Sequence, residues 1–147
     1  MEAIMYLIDT NVISEVRKRS KANKGVRAFF KRAIEDETRT FISVVTVGEL
    51  RRGVEMIRHR GDLRQANQLE KWLEALLLEY KDHILEIDQD IAQLWGRLRV
   101  PHPENALDKL IAATALVYDL TVVTRNHKDF SKTGARLLNP FDAPPSN

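Results

Sequence analysis

Short β-branched apolar runs set apart by segments of helical period constrain this chain more than any other feature. The runs are Ile4–Ile8, Thr40–Val45, Ile84–Ile87 and Thr121–Thr124, with a weaker one at Ala135–Leu138. Between them, apolar residues recur every three or four positions. The segments are Val12–Lys18, Val26 to Ile34, Val47–Arg60, Leu63 to Tyr80, Ile91 to Leu98 and Ala106–Tyr118. The runs are nearly continuous in apolar character, which suits strands buried on both faces. Strands that alternate with helices predict a mostly parallel sheet of about five strands covered on both sides, a three-layer α/β/α sandwich. A chain of 147 residues with no internal repeat and no long linker is one domain's worth. The reading is a single domain over residues 1–142, followed by a frayed tail over 143–147.

That topology gives the acids their meaning. Parallel strands end on one edge of the sheet, and the covering helices begin on the same edge, where open α/β folds bind ligands. Asp9 ends the first strand, in Tyr6-Leu7-Ile8-Asp9-Thr10-Asn11. Glu49 is expected in the first turn of the helix after the second strand, and Asp108 in the first turn of the helix from Ala106. Asn126 and Asp129 follow the strand Thr121–Thr124.

Each has an ordinary structural explanation. Asp9, Thr10 or Asn11 can cap a helix. Thr46-Val47-Gly48-Glu49 matches a capping box. Asp108 suits a helix dipole, Asn126 a cap, and Asp129 a solvated surface. Taken together they point elsewhere, because capping does not require the acceptors to meet. Carboxylates that do meet repel one another unless a cation or protons intervene. Oxygen donors without Cys or His spacing suit a hard ion, Mg²⁺ or Mn²⁺. His59, His83, His102 and His127 show no ligand spacing, and Trp72 and Trp95 lie on helical stripes as core residues do.

Charge and composition limit the partners. Net charge is only +2, but residues 1–60 carry 13 Lys/Arg against 8 Asp/Glu, whereas residues 61–147 carry 10 against 13. The densest basic stretch, Arg17 to Lys24, can gather a polyanion or simply be a solvated loop. The chain has no cysteine, which excludes thiolate metal sites. No apolar run approaches the roughly 18–20 residues of a membrane span, and no secretory leader is visible. The expectation is a cytoplasmic protein with no membrane partner.

The motifs Leu7-Ile-Asp-Thr-Asn-Val-Ile-Ser-Glu15, ISVVTVGELRRGV (42–54), DKLIAATALVYDLTVVTRNHKDF (108–130) and LLNPF (137–141) resemble, in order and spacing, those of PIN-domain ribonucleases. The resemblance is strongest to the VapC-type toxins of bacterial toxin–antitoxin pairs, and among them to the FitB-like branch. It covers nearly the whole chain and is least distinctive between Met56 and Ile91.

The resemblance implies a PIN-like α/β/α fold and a Mg²⁺- or Mn²⁺-dependent endoribonuclease that leaves 3′-hydroxyl and 5′-phosphate ends. Its three most regular acids fall on Asp9, Glu49 and Asp108. The fourth falls on Asn126, where the branch often has Asp, and Asp129 is the candidate substitute. Asp9 and Asp108 are expected to ligate the metal directly, with Glu49 orienting the attacking water. Thr10, Asn11 and Thr124 would fix the carboxylates, with Asn126 and Asp129 as outer groups. Arg17, Lys21, Lys24 and Arg125 are candidate phosphate contacts.

The expected partners are an RNA substrate and a cognate antitoxin whose other end binds operator DNA. A homodimer, paired again in the complex, is also expected. Three other readings stand beside this one. They are a housekeeping RNA-processing nuclease, an inactive binding module on the same fold, and a phosphotransferase of the haloacid-dehalogenase kind. The last needs an Asp where this chain has Asn11.

Overall fold

The computed structural model describes residues 4–142, so the tail expected over 143–147 lies outside the described residues. Five strands, β1 (Tyr6–Ile8), β2 (Thr40–Ser43), β3 (Ile84–Leu85), β4 (Thr121–Val123) and β5 (Arg136–Leu138), form one sheet in the order β3-β2-β1-β4-β5. All pairings are parallel. Seven helices connect and cover them: α1 (Thr10–Val16), α2 (Lys24–Glu35), α3 (Val44–His59), α4 (Leu63–Glu79), α5 (Gln89–Leu98), α6 (Ala106–Tyr118) and α7 (His127–Phe130).

The strand period of two sorts the core into two layers. Tyr6, Ile8, Ile42, Val123 and Leu138 turn to one face, where Val12, Val26, Leu50, Val54, Leu73 and Leu76 of α1 to α4 meet them. Leu7, Phe41, Leu85, Val122 and Leu137 turn to the other, against Ile111, Ala112 and Ala115 of α6, Leu98 of α5 and Phe130 of α7. Leu7, Ile8, Val122 and Val123 are fully buried, each worth about 1.5–3 kcal/mol of transfer free energy. Burial on both faces explains why these strands read as unbroken apolar runs.

Several boundaries differ from the sequence expectation, two of them at the strands that position the site. The ladder on β1 begins only at Tyr6, opposite Thr40 and Thr121, so Ile4 stands exposed outside it. The second strand stops at Ser43, whose hydroxyl accepts from Val45 N–H at 3.0 Å and starts α3 there. Val44, Val45 and Thr46 therefore belong to the helix despite their β-branching, and the expected capping box at Thr46 is not formed. The one-turn α7 and the 3₁₀ turns at Arg19–Lys21 and Pro140–Asp142 are too short to leave a period in the sequence. By contrast, α6 has the expected bounds. It opens after Asn105 and closes at Asp119, both in the left-handed region, which Asn and Asp tolerate better than most residues.

The C-terminal segment is fastened to the start of α2. A Cβ at Gly25 would meet the Pro140 carbonyl oxygen at 2.0 Å, so only glycine admits that approach. Phe141 follows, its N–H held by Asn139 Oδ1 at 3.0 Å, and packs against the α1 to α4 core layer.

Candidate active site

Asp9 is the residue at which β1 becomes α1. Its backbone N–H still belongs to the sheet, donating to Val123 O at 2.9 Å, while its side chain caps the helix by accepting from Thr10 N–H at 2.9 Å. The capping role foreseen for Asp9 is thus real, and it uses one oxygen, Oδ1. The other, Oδ2, accepts from the Thr124 hydroxyl at 2.8 Å and from Asn11 Nδ2 at 3.2 Å. Asn11 completes the tie by accepting from Arg125 N–H at 3.1 Å through Oδ1. Thr124 in turn accepts from Asn126 N–H at 3.0 Å. The end of β4 therefore clamps the carboxylate that ends β1.

Glu49 lies in the second turn of α3 rather than the first, because the helix begins at Val44. This still aims it at the same edge. The Thr10 hydroxyl donates to Glu49 Oε1 at 2.8 Å and stands 3.2 Å from the Thr46 hydroxyl. Thr46, fully buried and one turn before Glu49, is the positioning group that the sequence reading assigned to a cap. The i, i+3 spacing of Thr46 and Glu49 was the signal available.

Asp108 occupies the first turn of α6, and Asp129 that of α7. The acids feel one another. Partial burial, then Asp9, Asp129 and Glu49 in that order, push the Asp108 carboxyl up to about 6. Burial also raises Asp9, with Glu49 adding to it, while the donors Thr124, Thr10 and Asn11 pull the other way. Four acids from four elements (the end of β1, α3, α6 and α7) thus share one field. Asn126 is exposed, and its amide makes no cap bond to α7.

The donor set fits a hard divalent cation. The only charged groups acting on Asp9 or Asp108 are carboxylates, with no histidine among them. Among the described residues, no three Asp, Glu or His side chains are gathered tightly enough to hold a metal by themselves. An ion held by one or two carboxylates and several waters is the habit of Mg²⁺, which gives up its water shell reluctantly.

The four candidate phosphate contacts are spread more widely. Arg17 lines a cavity of about 350 Å³ together with Thr10, Ser14 and Glu49. Lys21 sits on the 3₁₀ turn and Lys24 opens α2; both are exposed, and neither lines that cavity. The Arg125 guanidinium lies 4.2 Å over the Phe141 ring, so it is engaged with the C-terminal turn.

An all-parallel α/β sandwich with acids gathered at the carboxyl ends of β1 and β4 defines a class, and the sequence narrows it. The PIN-domain profile matches residues 6–136, and the chain belongs to the PIN-domain family. It is 34% identical over 143 residues to Toxin FitB of Neisseria gonorrhoeae, which spans 93% of this chain and 99% of that protein. To the VapC ribonuclease Y4jK of Sinorhizobium fredii it is 28% identical, over 94% of this chain and 99% of that one. Among solved structures, FitAcB from Neisseria gonorrhoeae matches with a TM-score of 0.81 at 33% identity, over 95% of this chain and all of that one. The complex of FitAB with the IR36 DNA fragment matches at 0.78 and 30%, over 97% of this chain and all of that one.

Proposed function

We propose that this chain is a metal-dependent endoribonuclease and the toxin of a toxin–antitoxin pair. The observation that carries the enzymatic part is the placing of Asp9, Glu49, Asp108 and Asp129 at one sheet edge, where burial and then Asp9, Asp129 and Glu49 raise the carboxyl of Asp108. Such crowding raises the energy of a protein that does nothing with it. The names of the relatives, a toxin and a ribonuclease, support the reaction class.

Asp9 and Asp108 would hold Mg²⁺ or Mn²⁺, with Asp129 at the margin. When bound, the ion neutralises phosphodiester charge, acidifies water and stabilises the leaving oxygen. Thr124 and Asn11 fix the Asp9 oxygens so that the carboxylate does not turn away. Glu49, steered by Thr10, is the group that accepts the proton of the attacking water. Asn126 adds no charge to the pocket and orders water at its rim. Arg17, at the wall of the neighbouring cavity, is the best placed of the four expected cations to meet substrate phosphate.

The solved FitAB complex on DNA supports a partner antitoxin that silences the enzyme and carries operator binding. The exposed faces of α3 and α4 are the proposed surface for self-association. Among the described residues no helix is long and apolar enough to cross a membrane, in keeping with work in the cytosol.

The test is cleavage of a mixed pool of cellular RNA by purified protein. Wild type is expected to cut with Mg²⁺ and not with EDTA, and Asp9→Asn to lose about a thousandfold in rate. Equal cutting by wild type and Asp9→Asn would remove the assignment.

A further inference from the structure

A cavity of about 510 Å³ opens between the α5–α6 connection and α7. It shares Asp129 with the acidic site, yet three lysines stand among its other walls. Lys109, Lys128, Lys132 and His102 face it, against Asp129 and Glu104. Glu104 is already engaged, 3.6 Å from His102 Nδ1 and bonded to its own backbone N–H. Lys109 is buried and donates to the His102 carbonyl, which braces the connection from Val100 to Asn105.

Lys128 and Lys132 differ from these. They stand four positions apart, Lys128 on α7 and Lys132 in the turn that follows it, with Asp129 between them in sequence, and both are exposed. Their ammonium groups make no hydrogen bond or ion pair among the described residues, although Lys132 is near enough to Glu104 to help hold that carboxyl down. Two unpaired cations beside a cluster of acids suit a polyanion better than a single ion, because a strand must be held against the repulsion of the acids themselves. The volume falls within the roughly 300–1,000 Å³ of small-ligand pockets, enough for one or two nucleotides of a single strand and too little for a duplex.

We infer that this cavity binds the backbone of single-stranded RNA flanking the cut, with Lys128 and Lys132 as its phosphate contacts and Lys109 as the brace of its wall. The inference rests on the ribonuclease reading above and extends it by assigning a substrate subsite. An acidic peptide offers similar charge, but continuity with a phosphodiester-cleaving site favours the nucleic acid. Neither lysine touches the reacting atoms; their part is positioning.

The test measures binding apart from cleavage. In the Asp9→Asn protein with EDTA present, a fluorescein-labelled 20-nucleotide single-stranded RNA is titrated by anisotropy between about 50 and 200 mM KCl. Adding Lys128→Ala with Lys132→Ala is expected to weaken binding roughly twentyfold at 0.1 M salt. The log–log salt slope should become shallower by about 1.4, at about 0.7 per phosphate on single strands. Lys128→Arg with Lys132→Arg should keep the affinity. Lys31→Ala with Arg32→Ala, an equal charge change on exposed positions of α2 in the opposite layer, should leave it unchanged. Unaltered affinity and slope in the Lys128/Lys132 alanine pair would overturn the subsite while leaving the ribonuclease reading intact if wild type cuts RNA. An equal loss in the α2 control would overturn it too. A parent protein that neither binds nor cuts RNA would overturn both.

Discussion

Glu70 on α4 and Asp108 on α6 are both carboxylates near the surface, and their surroundings act in opposite directions. Glu70 receives both terminal nitrogens of Arg51 at 2.7 Å and one of Arg58 at 3.2 Å. The Arg51 hydrogen bond above all holds its carboxyl down at about 2. Asp108 has no such partner among the described residues, and burial together with three other acids pushes it up to about 6. The first group pins α3 to α4 and is complete within the chain. The second has no cation among the groups that act on it, and it is there that a positive partner is proposed. Acids alone do not mark a site; acids left without cations do.

Changing Asp108 separates the two regions most sharply. Asp108→Asn should lower RNA cleavage by about a thousandfold, while raising the melting temperature of the metal-free protein near pH 8, because a repelling charge is gone. A variant that melts lower and still cuts would erase the contrast. Next in size is Thr124→Val, which removes the hydroxyl on Asp9 Oδ2. Mn²⁺ affinity by calorimetry should fall about 10–100-fold with the fold retained.

Stability against pH tests the same contrast from the opposite side. The folded pKa of Asp108 lies above its ordinary value of 3.8, so the folded state holds the proton longer than the unfolded chain. Metal-free protein should therefore lose stability as pH rises from about 4 to about 6, by on the order of 1–2 kcal/mol after discounting for solvent. Asp9 contributes in the same sense. Glu70 does the reverse: its folded value of about 2 lies below the ordinary 4.5. Its contribution is present above about 4.5 and is lost as pH falls towards 2. Chemical denaturation across pH should show the falling limb shrink in Asp108→Asn, with the part due to Asp9 remaining. The smallest effect is expected from Glu70→Gln, a drop of a few degrees in melting temperature with cleavage unchanged. Lost cleavage in that variant would make the α3–α4 ion network part of the site.

Much of this arrangement is legible in the residues. The runs at Ile4–Ile8, Thr40–Val45 and Thr121–Thr124 announce buried parallel strands, though with wider bounds than the strands have, because burial on both faces forces unbroken apolar stretches. Parallelism alone then carries Asp9 and Asp108 to one edge. Asn11 and Thr124, 113 positions apart in the chain, could be named as supports because each stands at the end of a strand, though their 3.3 Å contact could not. The start of α3 was hidden because Ser43 and Thr46 can both cap a helix, and Val44-Val45 has the composition of a strand. Tertiary packing decided between them. Lys128 and Lys132 passed unnoticed because a one-turn helix and the turn after it leave no period in the sequence. Only the cavity facing Asp129 gives their spacing meaning.

The most direct test of the account is a calorimetric titration of Mn²⁺ into metal-free protein near pH 8, with melting temperature followed in parallel. Wild type should show a saturable site and a rise in melting temperature, both absent from Asp9→Asn and Asp108→Asn. No binding to wild type, or equal binding to the two variants, would contradict the claim that these carboxylates are gathered to hold a divalent ion.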